Sequence, residues 1–299
     1  MNNSKEAAMN KETYQFKLET FECMAINDGS FSYHQPGATF FSNAPQEALG
    51  QALQKHNIQL EHWEEFVSDY ICLMINTGKH MVLVDTGAGN LGPDTGKLIQ
   101  NLSKEGIAPE DIDLVIITHA HPDHIGGIVD AESKPSFPNA RYVLSKQEWD
   151  FWISNPDLSS LKVSDQIKTL LLTFAQKNLL PIQDKLDLIE DETEIVPGIQ
   201  IIAAPGHTPG HIALAISSAD EQLLVIGDII FHPIHLEHFQ WSAAFDFDPD
   251  QVMSTRRRLF NRATTDKTLV HAFHFPFPGL GYIGQKGEGW QWQPIESAR

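Results

Sequence analysis

Only two cysteines, Cys23 and Cys72, occur in 299 residues. A disulfide framework is excluded at that count, and neither belongs to a Cys-x-x-Cys pair, so both read as free thiols. No run approaches the roughly 18 apolar residues that a membrane-crossing helix needs. The N-terminal "MNNSKEAAMNKET" is polar and has no apolar segment of the kind a secretory signal carries, which makes the cytoplasm the expected location. Basic residues are scarce, 21 against 39 acidic ones, for a formal net charge of −18. That balance repels phosphate backbones and anionic lipid, so neither nucleic acid nor a membrane is an expected partner. There is no Gly-x-Ser-x-Gly nucleophile elbow, no internal repeat and no linker rich in Gly or Ser.

Hydrophobic residues make up 41% and charged residues 20% of the chain, enough apolar surface for a sizeable core. One domain over residues 13–299, behind a disordered tail of residues 1–12, is the simplest organisation at this length. A first strand is expected in "YQFKLETFECMAI". Two more are expected in "FVSDYICLMINTGKHMVLVDTGAG", turning at Asn76–Lys79, and others in "IDLVIITHAH", "RYVLS", "GIQIIAAPGHTPGH", "IALAIS", "QLLVIGD" and "TLVHAF". Helices are expected in "APQEALGQALQKHN", in "PDTGKLIQNLSKEG" opening at its proline, and from "KQEWDFWIS". A longer helical stretch is expected over 158–180 with Ser164 as N-cap, and another over 249–263. Strand pairs mixed with helices suggest a mixed sheet layered with helices.

The stretch "VIITHAHPDHIGGI" packs His119, His121, Asp123 and His124 together directly after an aliphatic run. Imidazole nitrogens and carboxylates suit zinc and its neighbours. Two apart in extended chain, His119 and His121 point the same way and can share one ion. Asp123 and His124 follow a proline, in a turn that can aim them at a second ion, and Gly126 and Gly127 let the chain reverse closely beside the site. Further ligand candidates stand at strand ends: His207 and His211 in "AAPGHTPGH", Asp228 in "LLVIGDII", and His271 and His274 in "TLVHAFHFPFPG". A lone carboxylate ending an apolar strand, as at Asp228, needs a strong partner, because burying an unpaired charge is costly.

This order of His-x-His-x-Asp-His, then a His, an Asp and a His, resembles the metallo-β-lactamase superfamily of di-metal hydrolases. "VLVDTGAG" resembles that family's first motif, an Asp-Thr-Gly at a strand end. The matching positions run from Asp85 to His274. The resemblance implies an α/β fold, a four-layered αβ/βα sandwich of two mixed β-sheets with metals at the sheet edges. It implies two divalent metal ions per chain, zinc by default, with iron, manganese and cobalt suited to the same ligands. His119, His121 and His207 would hold one ion, Asp123, His124 and His274 the other, and Asp228 would bridge both. Asp85 and His211 would orient ligands by hydrogen bonding. Asp123 and Asp228 are the carboxylates expected to take part in catalysis, in which a metal-bridging hydroxide attacks the substrate.

Within that superfamily, a bridging Asp together with the His of "DH" disfavours the classical zinc β-lactamases. His121 stands where diiron flavoproteins usually carry glutamate, and a net charge of −18 opposes ribonuclease Z. The segment from "WSAAFDFDPD" to "GWQW" resembles the lactonase and methyl parathion hydrolase group. It does not resemble the basic C-terminal region of hydroxyacylglutathione hydrolase (glyoxalase II). The resemblance implies opening of lactones, N-acyl homoserine lactones among them, with side activity on aryl esters or organophosphate triesters. A glyoxalase II-like thioesterase and a non-catalytic metal-stabilised binding protein are the alternatives. The expected partner is a small-molecule substrate, and relatives in this group suggest a homodimer by analogy. Small acyl-homoserine lactonases carry a tyrosine three residues after the bridging Asp, where this chain has Phe231. Trp152 and Phe231 are expected in the substrate pocket. His232, His235 and His238 are expected either as solvated loop histidines or in a substrate role, Arg256, Arg257 and Arg258 as a solvated helix face, and residues 34–65 as an insertion.

Overall fold

The computed structural model describes residues 12–295; the expected N-terminal tail lies almost wholly outside the described residues. Two seven-stranded sheets form. The first runs in chain order: β1 (Thr13–Leu18), β2 (Phe21–His34), β3 (Glu65–Asn76), β4 (Met81–Val84), β5 (Leu114–Ile116), β6 (Arg141–Ser145) and β7 (Leu186–Ile189). Its first four strands pair antiparallel and its last four parallel. The second sheet holds β8 (Glu194–Val196), β9 (Ile199–Ala203), β10 (Ile212–Ser218), β11 (Glu221–Val225), β12 (Leu269–His271), β13 (Leu280–Lys286) and β14 (Gly289–Pro294), also in chain order. All its pairs are antiparallel except β11 with β12.

Alternate residues of each strand divide between two cores. Leu73 and Ile75 of β3 meet Ile201, Leu214 and Val225 of the second sheet between the layers, while Cys72 and Met74 face the helices outside the first sheet. Those helices include α3 (Leu98–Lys104), α4 (Pro122–Ile125), α5 (Lys146–Ile153) and α6 (Asp165–Leu179). Outside the second sheet lies α8 (Pro249–Asp266), whose Leu259, Phe260 and Ala263 pack on Ile202, Leu224 and Val270. The result is the four-layered αβ/βα sandwich of two mixed sheets. Sheets covered on both faces explain why "LVII" and "LLVI" show no polar alternation.

Three local expectations are corrected. "YQFKLETFECMAI" is two strands, not one, because the chain turns at Glu19, in the left-handed region, where its N–H donates to Glu221. The "PDTGK" segment stays a loop and α3 starts at Leu98 instead, because buried Asp28 accepts the N–H groups of Ala88, Gly96 and Leu98. Residues 158–164 also stay irregular, and α6 begins behind the Ser164 cap, which accepts from Ile167 N–H. On α8, Arg256 is fully buried rather than solvated. Val252, Leu259, Phe260 and Ala263 share its face at helical spacing, and its guanidinium donates to the carbonyls of Ile229, Phe239 and Trp241. Arg257 and Arg258 remain exposed.

The 34–65 segment folds as α1 (Pro36–Phe40) and α2 (Gln46–Lys55), whose Phe40, Phe41 and Leu53 pack on Phe231 and Trp241. His232 and His235 are buried in this contact, not solvated. Beyond them lies α7 (Ile234–Glu237). His235 donates from Nε2 to Phe40 O and accepts Phe231 N–H at Nδ1. His238 is half-buried, stacked on Trp241. No helix among the described residues is long and apolar enough to cross a membrane.

Buried neutral histidines make acid a destabilising agent. His271 sits in β12 opposite Val225 and Leu280 of the intersheet core, with neither ring nitrogen hydrogen-bonded, and burial pushes its pKa down from 6.5 to about 3. The unfolded chain therefore takes up a proton below pH 6.5 that the folded chain refuses, so this contribution to stability is complete above pH 6.5 and is lost as pH falls toward 3. His271→Leu should flatten the fall in urea stability between pH 7 and 4.5 by about one proton. An unchanged slope would contradict this account.

Candidate metal centre

The parallel strands of each sheet end at one edge, and the predicted residues gather there. Asp85 follows β4, the His119–His124 run follows β5, Asp228 follows β11 and His274 follows β12; His207 and His211 lie between β9 and β10. Gly126 permits the tight return after α4: a Cβ there would meet Ala88 O at 2.1 Å. Asp228 follows Gly227, which has φ +51° and no room for a Cβ against the His211 ring.

The side chains form two groups whose ligand atoms lie within 4.8 Å of one another. One is His119, His121, His207 and Asp228; the other is Asp123, His124, Asp228 and His274. Asp228 Oδ2 stands 2.9 Å from His274 Nε2, 3.6 Å from His207 Nε2 and 3.7 Å from His119 Nε2. His121 Nδ1 lies 2.8 Å from His207 Nε2, and His274 Nε2 lies 3.5 Å from Asp123 Oδ2. His124 Nε2 and Asp228 Oδ1 are 3.0 Å apart, yet neither is hydrogen-bonded, and His119 Nε2 has no partner either. Buried polar atoms left this way are expensive unless something charged lies between them. Five imidazoles and two carboxylates around such a space fit two divalent cations.

Hydrogen bonds on the far side of each ring set which nitrogen faces inward. His124 Nδ1 donates to Asp85 Oδ2 at 2.8 Å, and His207 Nδ1 donates to Asp246 Oδ1 at 2.9 Å. Ser68 Oγ donates to the His274 carbonyl and accepts from His274 Nδ1. Thr118 Oγ1 donates to Asp85 and accepts from His119 Nδ1. In all four rings the Nδ1 contact turns Nε2 toward the cluster. His211 Nε2 accepts the Asp228 N–H at 3.1 Å, holding the backbone of that carboxylate. His271 belongs to neither group.

Ser68 and Thr118 were not singled out by sequence reasoning, and neither were two buried acids. Glu148, fully buried on α5, accepts from Ala120 N–H between His119 and His121, from Thr208 Oγ1 and Gly210 N–H beside His207, and from Trp152 Nε1. It ties two ligand loops to one helix. Asp246, besides holding His207, accepts Ala243 N–H. In sequence Glu148 is an ordinary first-turn acid and Asp246 an acid in an aromatic-rich loop; neither stands beside another ligand type.

Burial dominates the electrostatics. It pushes His119 and His121 well below the ordinary histidine range, with neighbouring imidazoles adding to the effect. For His124 burial is outweighed by Asp228, Asp85 and Asp123, which hold it well above that range. Asp123 is pushed up by burial, whereas for Asp228 the surrounding His124, His274 and His119 overcome burial and hold it well down. Asp228 is thus the stronger anion, placed where both groups meet.

A cavity of about 460 Å³ opens onto Asp123, Asp228, His121 and His207. Phe231 lines it, with its ring 4.9 Å from that of His274. Trp152 does not line it: the indole lies behind His121, 5.7 Å ring to ring, because its N–H is drawn to Glu148. The rest of the wall is largely apolar, from Phe31, Leu91, Ile167, Leu170 and Phe245.

Comparison with known proteins agrees with this geometry. A model of the metallo-beta-lactamase superfamily matches residues 71–274. An N-acyl homoserine lactonase of Bacillus thuringiensis is 24% identical over 68% of this chain and 80% of its own. A hydroxyacylglutathione hydrolase of Photobacterium profundum is 26% identical over 70% of this chain and 62% of its own. Among solved structures, AidC, a dizinc quorum-quenching lactonase in complex with the product N-hexanoyl-L-homoserine, superposes with a TM-score of 0.89. It is 29% identical, over 96% of this chain and 99% of that one.

Asp246→Ala should release His207 and weaken zinc binding at one site by about 10–100-fold, read by titration against a competing chelator. Native affinity at both sites would show that Asp246 does not orient that ligand.

Proposed function

Because the chain belongs to the metallo-beta-lactamase superfamily and is a metal-dependent hydrolase, we propose that it opens lactones, N-acyl homoserine lactones among them, at a two-zinc centre. His119, His121 and His207 would hold one ion, Asp123, His124 and His274 the other, and Asp228 would serve both. When bound, two such ions polarise a carbonyl oxygen and supply hydroxide near neutral pH.

The chain's own residues do the rest. Asp85, Asp246, Ser68 and Thr118 keep the imidazoles in the ligand tautomer. Asp123, the more exposed of the two carboxylates, faces the cavity. Its carboxylate takes the proton released as water adds to the carbonyl carbon and returns it to the ring oxygen as the C–O bond breaks. Phe31, Leu91, Ile167, Leu170, Phe231 and Phe245 exclude water and accept an acyl chain.

The observation that carries this reading is the cavity wall. Apart from the two aspartates and three histidines it is apolar or carries only hydroxyls, and no lysine or arginine lines it among the described residues. A glutathione thioester brings two carboxylates that need cationic partners; a neutral lactone with a hydrocarbon tail needs none. That favours a lactone over the thioester, despite the hydroxyacylglutathione hydrolase match. The AidC product complex supports the same class.

Chelation should abolish lactone hydrolysis, and zinc or cobalt should restore it. Asp228→Ala and His207→Ala should each lose at least about 100-fold in kcat/KM. A metal-loaded protein that opens no lactone across a panel of ring sizes and acyl lengths, while turning over S-lactoylglutathione, would sink the proposal.

A further inference from the structure

The cavity wall contains one feature that metal binding does not use. Tyr33 of β2 and Tyr70 of β3 place their phenolic oxygens 2.7 Å apart, and both line the cavity with Asp123 and Asp228. Two phenols carry two protons, and the one hydrogen bond between them uses one. Neither hydroxyl has a further partner among the described residues, so one O–H is spare. Tyr70 is completely covered, its ring stacked on Phe273 and edge-on to His274, while Tyr33 is half-buried. Either hydroxyl can donate within the pair; with Tyr70 as the donor, the spare proton is that of Tyr33, the residue of the two that is not fully covered.

Of the other polar side chains of the wall, the His34 ring is exposed at the rim and two hydroxyls are occupied. Ser32 donates to Glu65 and Thr39 to the His34 carbonyl. On the opposite side Phe231 presents a ring with no donor, against His207 and His274. We propose that Tyr33 is a catalytic hydrogen-bond donor to the substrate's ester oxygen, with Tyr70 as the positioning residue that aims and polarises it. Donation from Tyr70 strengthens Tyr33 as a donor. Tyr33 keeps its proton and donates a hydrogen bond while the ester C–O bond breaks, and the proton of the attacking water completes the alcohol. The inference rests on the ester-opening reading above and adds the group that meets the leaving oxygen.

Tyr33→Phe keeps the ring packed on Phe31 and Phe40 and removes only the hydroxyl. It should lower kcat on a lactone, whose alkoxide leaves poorly, by about 100-fold. A 4-nitrophenyl ester, whose leaving group needs no help, should change less than about twofold, with two metals per chain retained by elemental analysis. Tyr70→Phe should show the same selectivity with a smaller loss. Calorimetry with the matching lactam, which is not turned over, should show about two- to tenfold weaker binding to Tyr33→Phe. Equal losses on both esters, or native lactone turnover and lactam binding in Tyr33→Phe, would overturn the assignment. If the native protein opens no lactone but cleaves other esters, the lactonase reading fails alone, and alkyl against 4-nitrophenyl esters then decide Tyr33. Turnover of no ester and no lactam binding would remove both.

Discussion

The carboxylate of Asp228 is the group around which everything else is arranged. It is buried almost completely, inside a ring of imidazoles and one further carboxylate. An anion in that position is tolerable only with compensating positive charge within a few ångströms. Protonated histidines supply part of it in the metal-free protein, as the raised His124 shows. Two divalent cations would supply it fully and would also satisfy His119 Nε2, His124 Nε2 and Asp228 Oδ1, which have no hydrogen-bond partner in the protein.

Holding the ligands so close requires a second set of buried acids outside the cluster. Asp85 adopts φ +59°, in the left-handed region, so that one carboxylate reaches Thr118 and His124 together. Backbone strain of this kind is retained where the surroundings over-determine it. Asp28 fastens the loop after β4, Glu148 the loops bearing His121 and His207, and Asp246 the His207 ring itself. Burial pushes Asp28 up to about 6 and raises Glu148 as well, the electrostatic cost of using anions as brackets. In return the ligand loops are joined to strands and helices on both sides of the sandwich.

The ligand types could be read in the chain because metal chemistry restricts them to His and Asp, and because a short loop forces close spacing. His119, His121, Asp123 and His124 lie on one such loop, and His207, Asp228 and His274 each end or follow an apolar strand. Helix α6 was legible through Ser164, whose cap bond is local. Loop histidines and helical arginines were not: burial of His232, His235 and Arg256 depends on α1, α2 and the Ile229–Trp241 backbone, which are remote in sequence. Trp152 was placed in the cavity from its position after a strand, but Glu148, four residues before it on the same helix, draws its indole inward.

Residue type and local spacing by themselves determined that this chain carries a two-cation site, that strands deliver it, and that helices and sheets alternate in layers. Those properties follow from side-chain chemistry and short-range periodicity, both present in the linear order. Tertiary structure alone decided which nitrogen of each histidine faces the cluster, that no lysine or arginine among the described residues lines the cavity, and that Tyr33 and Tyr70 share one hydrogen bond beside the cluster. Each of these depends on atoms brought together from distant segments, and hydrogen-bond partnership across such distances has no signature in the order of residues.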